Sequence, residues 1–395
     1  VTNNTKKLSF KPNSKIYTFF TLFYAYFIIA LFDTAKGNFI PFFINDFATS
    51  SSTVGIILSI SQLGSVFGAY LGGNACQKYG QKITFLVAAT ICSLVGLSSL
   101  FLNNIIALCV FFFIFNFGRT TLSISIDSLV HMTAIGYEIL FLNLAHFMFG
   151  LGSFTGQKIY GNLLFNNVNW QSIYFVLGFL FILCVIFALF IKVPKNRYIL
   201  DNKTLNKKDL YKNPLLILFI VCFALTVASE GFMMLWYINY MSSTYGLSAI
   251  ETAKYSSVFF ILFSLGRLIG GFVLQKIGEI KGLKFSMAMV ALCIIVGLIL
   301  KQNGLYILAA SGLFLSIAYP TLVLLINSTF KEFAALAMGI VQTFNSIISI
   351  VATVLIGFLN DLIGSYTTFY LGAIFISISF AMLIVIDRKL ILEGK

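Results

Sequence analysis

The sequence predicts an all-α membrane protein of twelve transmembrane helices in two pseudo-symmetric six-helix bundles. Three observations predict it. The 395 residues are 59% hydrophobic and only 10% charged. Apolar runs long enough to cross a bilayer, about 20 residues each, recur along the whole chain. A segment of the first half also returns in the second.

Soluble domains are about one quarter charged. This chain has too little charge to cover a globule of its size in water, and its mean hydropathy is +0.96. Lipid supplies the missing apolar solvent. The net charge of +13 comes from 26 Lys and Arg against 13 Asp and Glu. These cations lie between apolar runs, as membrane topology requires. No RNP, zinc-finger or basic-helix pattern accompanies them, so no nucleic-acid partner is expected. The cysteines, Cys76, Cys92, Cys109, Cys184, Cys222 and Cys293, form no CxxC pair. They read as small packing residues, with neither a disulfide framework nor a metal site.

The first set of spans is expected at 17–41, 53–73, 83–102, 104–126, 139–163 and 171–191. The second falls at 214–240, 254–274, 284–301, 305–327, 334–358 and 366–386. Between the sets lies a polar stretch, 192–213, carrying Lys192, Lys195, Arg197, Lys203, Lys207, Lys208 and Lys212. The expected organisation is therefore a six-helix bundle over 1–191, a basic cytoplasmic linker over 192–213 and a second bundle over 214–395. Lys6, Lys7, Lys11 and Lys15 precede the first span, which reads as a cytoplasmic tail and a retained helix rather than a cleaved signal.

Lys and Arg set the orientation. The N-terminal tail, even-numbered loops and C-terminal tail hold 20 of them, and the odd-numbered loops hold only Lys254 and Lys301. Both termini are expected in the cytoplasm, with the chain crossing a bacterial inner membrane many times.

The internal repeat supports two related halves. GAYLGGNACQKYG at 68–80 aligns with GRLIGGFVLQKIG at 266–278. Gly68, Gly72, Gly73, Gln77, Lys78 and Gly80 match Gly266, Gly270, Gly271, Gln275, Lys276 and Gly278. Parallel halves related by an axis along the membrane normal produce such a repeat. Gly64, Gly68 and Gly72 recur every fourth residue, on one face, which lets helix backbones approach closely. Lys78 and Lys276 end their helices, where the dipole and anionic lipid favour a cation.

Gly73, Gln77, Lys78, Gly80 and Lys82 resemble the cytoplasmic loop signature of the major facilitator superfamily. That signature runs Gly, three residues, Asp, basic, any, Gly, basic, basic. Gln77 stands where it has Asp, and Gln81 where it has a basic residue. Further segments are similar to the fucose-permease-like branch: Asn143–His146–Phe149–Gly150–Gly152, Glu230 with Trp236, Gly266–Arg267, and Gly312 with Tyr319–Pro320–Thr321. The resemblance implies twelve helices, alternating access, a sugar-like solute, a proton partner, a monomer and carboxyls in the first and fourth helices.

Ionisable residues inside a membrane usually face a cavity or a partner. Those within or beside the spans are Asp33, Lys36, Arg119, Asp127, His146, Lys158, Glu230 and Arg267. Glu230 reads as a proton-coupling or hydroxyl-binding group, or as a structural partner of Arg267. Asp33 and Lys36 are three apart and share a face, so they either neutralise each other or Asp33 joins Glu230 as a proton-coupling carboxyl. Asp127 is a further proton-coupling candidate, near the cytoplasmic end of its span, and Arg267 a further solute-binding candidate. Arg119 sits near mid-membrane, bound either to an anionic or polyhydroxylated solute or to Asp33. His146 is a proton relay or a packing residue. Trp236 stacks on a sugar or anchors the outer interface. Asn116, Asn143, Gln342 and Asn345 offer neutral hydrogen bonds, and Pro320 is expected to kink its span.

No P-loop, HExxH, GxSxG or metal-ligand cluster is present in the sequence, so neither an ATP-driven machine nor an enzyme is expected, and no cofactor. The leading expectation is a proton-coupled secondary transporter of a small solute. An exporter of drugs or metabolites with the same fold, or a membrane sensor without flux, are the alternatives.

Overall fold

The computed structural model describes residues 12–134, 138–192, 210, 213–330 and 334–392. Among them there is no strand. The first six helices are α1 (Pro12–Asp46), α2 (Ser51–Tyr79), α3 (Gln81–Leu97), α4 (Ile105–Thr133), α5 (Glu138–Phe165) and α6 (Trp170–Leu189). Next come α7 (Pro214–Tyr245), α8 (Ala249–Ile277), α9 (Glu279–Ile299), α10 (Leu305–Phe330), α11 (Ala334–Ile363) and α12 (Ser365–Leu392). Among the described residues, eleven helices are long and apolar enough to cross a membrane. The exception is α5, which carries His146, Gln157 and Lys158 and packs between α1 and α8. A helix enclosed by others need not be apolar all round.

Most helices exceed the expected spans. At 35 residues α1 is about 50 Å long, against a hydrocarbon core of about 30 Å. Local signals fix the ends. The Asn104 side chain accepts the Ala107 N–H at 2.8 Å and starts α4. Ser248 and Glu251 form a capping box at the start of α8. Gly80 and Gly278, equivalent in the repeat, have φ of 89° and 87°. A side chain there is strained, so glycine makes both turns between helices. Helix α10 runs on helically through Pro320.

Short connections alternate the helices. Both ends of the described chain, the end of α6 and the start of α7 share one face, the termini end, and the other face is the opposite end. The packing repeats with a period of six helices. The pairs α2–α4, α3–α4, α3–α6, α1–α5 and α1–α6 recur as α8–α10, α9–α10, α9–α12, α7–α11 and α7–α12. Small residues make the approach close: Gly64 and Gly68 lie on the Phe113 and Phe117 carbonyls of α4, and Gly266 on the Leu313 carbonyl of α10.

The halves meet through α2–α11, α5–α8 and α1–α7. Toward the opposite end, Gly55 packs on Thr353 and Gly357, Gly161 on Ala253, and Gly37 on Met234 and Leu235. Nearer the termini end, Gly73, Gly271 and Gly339 have no atom within contact range of a Cβ.

Candidate functional site

Between the halves lies a cavity of about 190 Å³. From the first half it is lined by Asp33, Thr34 and Lys36 of α1, Ser61 and Gln62 of α2, and Asn116 and Arg119 of α4. From the second half come Glu230, Met234 and Trp236 of α7, Phe260 of α8, and Ser349 and Thr353 of α11.

The spacing of three puts Asp33 and Lys36 on one face of α1, and Lys36 Nζ donates to Asp33 Oδ1 at 2.6 Å. The same ammonium donates to Asn116 Oδ1 at 2.8 Å and stands 5.4 Å from the centre of the Phe115 ring. Asn116 in turn donates to the Ser61 carbonyl at 2.9 Å and to the Ser61 hydroxyl. Lys36 is thus buried with a carboxylate and an amide, the condition under which an ammonium survives out of water.

Arg119 follows Asn116 by three residues and shares its face. Its Nη1 lies 3.3 Å from Asp33 Oδ2 and its Nη2 3.5 Å from Ser65 Oγ. Its Nε is buried without a hydrogen-bond partner. A guanidinium has five N–H donors in a rigid fork, so most of its capacity is uncommitted.

Glu230 stands across the cavity, two residues before a π-helical segment, Phe232–Trp236. Such segments are frequent at functional sites because they re-aim side chains within a helix. No described cation lies within 4 Å of Glu230. Arg267 is its electrostatic neighbour, which differs from the direct pair that was one expectation. The other difference is Trp236. It is 1% exposed and lines the cavity, so it is no interfacial anchor. The reason is that α7 continues nine residues past it, to Tyr245.

A second cluster adjoins the cavity toward the termini end. The Tyr26 hydroxyl donates to Asp127, and the His146 ring lies 5.2 Å from the Tyr26 ring. Arg267 stacks on Phe263 at 4.5 Å, with its Nε buried and unbonded. Gln342 donates to the Tyr319 hydroxyl at 2.6 Å, and Asn345 to Gln342 at 3.4 Å. None of His146, Asp127, Arg267, Gln342 and Asn345 is among the residues lining the cavity. The Asn143, Gln77 and Gln275 side chains, and most of 192–213, lie outside the described residues.

The loop motif sits at the termini end, away from the cavity. Lys82 Nζ donates to the Leu189 and Ile191 carbonyls at 2.6 and 2.8 Å, capping α6. Lys78 lies on the Tyr79 ring at 5.1 Å, and Lys276 is exposed. Sequence reasoning missed the neutral lining groups Thr34, Ser61, Gln62, Ser349 and Thr353. Hydroxyls are common in membrane helices, and these carry no distinguishing pattern.

Known proteins give the arrangement a context. A nucleoside transporter NupG mutant superposes with a TM-score of 0.80 at 14% identity, covering 95% of this chain and all of that one. A bacterial homologue of the human lysosomal transporter Spinster, inward-facing and unoccupied, gives 0.78 at 12% identity over 96% and 98%. A D-xylose-proton symporter gives 0.77 at 11% over 93% and 96%. At these identities the likeness shows the fold. By sequence, a hexuronate transporter of Bacillus subtilis (strain 168) is 30% identical over 91 residues, which is 23% of this chain and only 22% of that transporter's length. The Major Facilitator Superfamily model matches residues 22–332 and 221–392. The chain therefore belongs to the Major Facilitator Superfamily, a family of multi-pass membrane transporters rather than enzymes.

Proposed function

We propose that this protein is a secondary active transporter that carries a small polyhydroxylated solute with a proton, by alternating access of the central cavity. The observation that carries the reading is the placement of Glu230. It is a carboxyl on α7 facing a cationic cluster on α1 and α4, in a cavity lined by both halves. A carboxyl without a direct ion-pair partner at a moving interface can take up a proton on one side and release it on the other. Asp33 is held by Lys36 and Arg119, so Glu230 is the coupling group.

Neutral donors and acceptors around the cavity suit hydroxyls on the solute, and Trp236 supplies an apolar face for a sugar ring. The relatives named for a hexuronate, a nucleoside and D-xylose support a solute of this size and polarity. The Asn143–Gly152, Glu230–Trp236 and Gly266–Arg267 segments support the fucose-permease-like branch. With the basic loops in the cytoplasm of a bacterium, the termini end is the inner side. The contacts at the opposite end then support an inward-open reading.

The test is dye-reported proton flux in proteoliposomes as sugars, polyols, amino acids and organic acids are added. Wild type should show a solute-specific pH change, and Glu230→Gln should lose it while still exchanging solute. Unimpaired accumulation by that variant would end the assignment of Glu230.

A further inference from the structure

We propose that the transported solute carries a single carboxylate, held by Arg119, and that it crosses with one proton on Glu230 in an electroneutral step. This rests on the proton coupling proposed above and adds to it the charge of the solute.

The first argument is geometric. Asp33 faces two cations through different oxygens, and its short contact is with Lys36, at 2.6 Å. Lys36 has a second acceptor in Asn116 at 2.8 Å. Arg119 holds Asp33 through one nitrogen at 3.3 Å only. Its Nε has no partner, and the side chain lines the cavity. A planar guanidinium with spare parallel donors is matched by a carboxylate, which accepts two of them at once. A neutral hydroxylated solute leaves that fork under-used.

The second argument is a charge census of every helix around the site. Asp33 and Lys36 come from α1, Arg119 and Asp127 from α4, Glu230 from α7 and Arg267 from α8. His146 on α5, Tyr26 on α1 and Tyr319 on α10 are titratable and neutral in their ordinary forms near pH 7. The cavity linings from α2 and α11 are uncharged. Lys158 is exposed, outside the cavity. Two carboxylates, Asp33 and Glu230, thus face two cations, Lys36 and Arg119, in the cavity; Asp127 and Arg267 in the adjoining cluster offset each other, and the ionised site is neutral. A proton on Glu230 leaves it at +1, and one bound anion returns it to zero.

Charge uncompensated in a low-dielectric site is costly. The empty, deprotonated carrier and the carrier holding both proton and anion are neutral. The carrier with only one of the two is charged. Reorientation is therefore favoured only for the two states that make symport tight. A neutral sugar would cross with the site at +1.

The experiment uses the full chain in proteoliposomes. The probes are D-glucuronate, D-galacturonate and D-gluconate against D-glucose, D-galactose and D-xylose. Exchange at symmetric pH reads the solute class without any proton drive. We expect exchange of at least one acid, no exchange of its neutral parent, and at least a tenfold loss in Arg119→Gln with partial recovery in Arg119→Lys. Uptake under an inward proton gradient, with the potential set by valinomycin, reads the charge. We expect less than a twofold change at −100 mV, whereas one net charge per cycle would give about fiftyfold.

Exchange of neutral sugars alone, or of no acid, overturns the carboxylate. A strong response to potential overturns electroneutrality. Acid exchange with no response to the proton gradient instead removes the coupling at Glu230, a separate failure. These wild-type readouts stand even if the Arg119 variants do not fold.

Discussion

Asp361, two residues from the end of α11, accepts hydrogen bonds from the backbone N–H groups of Ser51 and Ser52 at 2.9 and 2.7 Å, and from the Ser52 hydroxyl. The two partners are the first residues of α2, so a carboxylate of one half caps a helix of the other. The free N–H groups and positive dipole end of α2 favour an anion there. Gly55 and Gly357 pack together one turn further in. This latch joins the two halves at the opposite end.

Asp361→Ala should therefore loosen that end. The carboxylate is exposed, so the loss is about 1 kcal/mol after solvent screening. Spin labels at Ser50 and Ile363 should show a longer, broader distance distribution by double electron–electron resonance. An unchanged distribution would mean that the glycine contacts alone close this end.

Two glycines of α2 should behave differently although both belong to the small-residue pattern. A Cβ on Gly64 would lie 2.1 Å from the Phe113 carbonyl oxygen, whereas one on Gly73 meets nothing within 4 Å. Gly64→Ala should destabilise by about 1–3 kcal/mol as α2 is pushed off α4. Gly73→Ala should melt like wild type. Thermal unfolding in detergent separates them, and equal melting would show that α2 and α4 adjust freely.

The sequence made local relationships legible. Asp33 and Lys36 meet because a spacing of three on one helix leaves little choice, and the Gly80 and Gly278 turns follow from the repeat. Contacts between helices were less accessible. The Arg119–Asp33 pair required knowing that α1 and α4 adjoin, which came from family resemblance. The Asp361 latch joins residues 309 and 310 positions apart, and an acidic residue at a helix end reads as ordinary solvation. Gln342 and Asn345 were expected among the solute's hydrogen bonds, but spacing alone could not reveal Tyr319 as a competing partner. Trp236 was ambiguous because periodicity does not say where a helix leaves the membrane.

Lys82 belongs to the loop motif, and its contacts give it a structural task. Its ammonium holds two carbonyls at the end of α6, where orphan acceptors need donors. Lys82→Met should lower the unfolding free energy by about 1 kcal/mol, since the site is partly solvated. Solute affinity, measured by equilibrium binding, should not change. A large change in affinity with no loss of stability would move Lys82 from helix capping to the transport cycle.

Asp33 tests which cation the buried carboxylate serves. Asp33→Asn leaves Lys36, 4% exposed, without a counter-ion. Stranding a buried charge costs about 3–5 kcal/mol, so the single variant should melt far below wild type. Replacing both members of a buried pair by apolar or neutral groups is often harmless. The double variant Asp33→Asn with Lys36→Met keeps the net charge and should recover most of the stability. Arg119, whose contact with Asp33 is a single one at 3.3 Å and which also reaches Ser65, should keep its place and its solute. A double variant as unstable as the single one would mean that Arg119 is the cation that needs Asp33, and that its donors are less free than the geometry indicates.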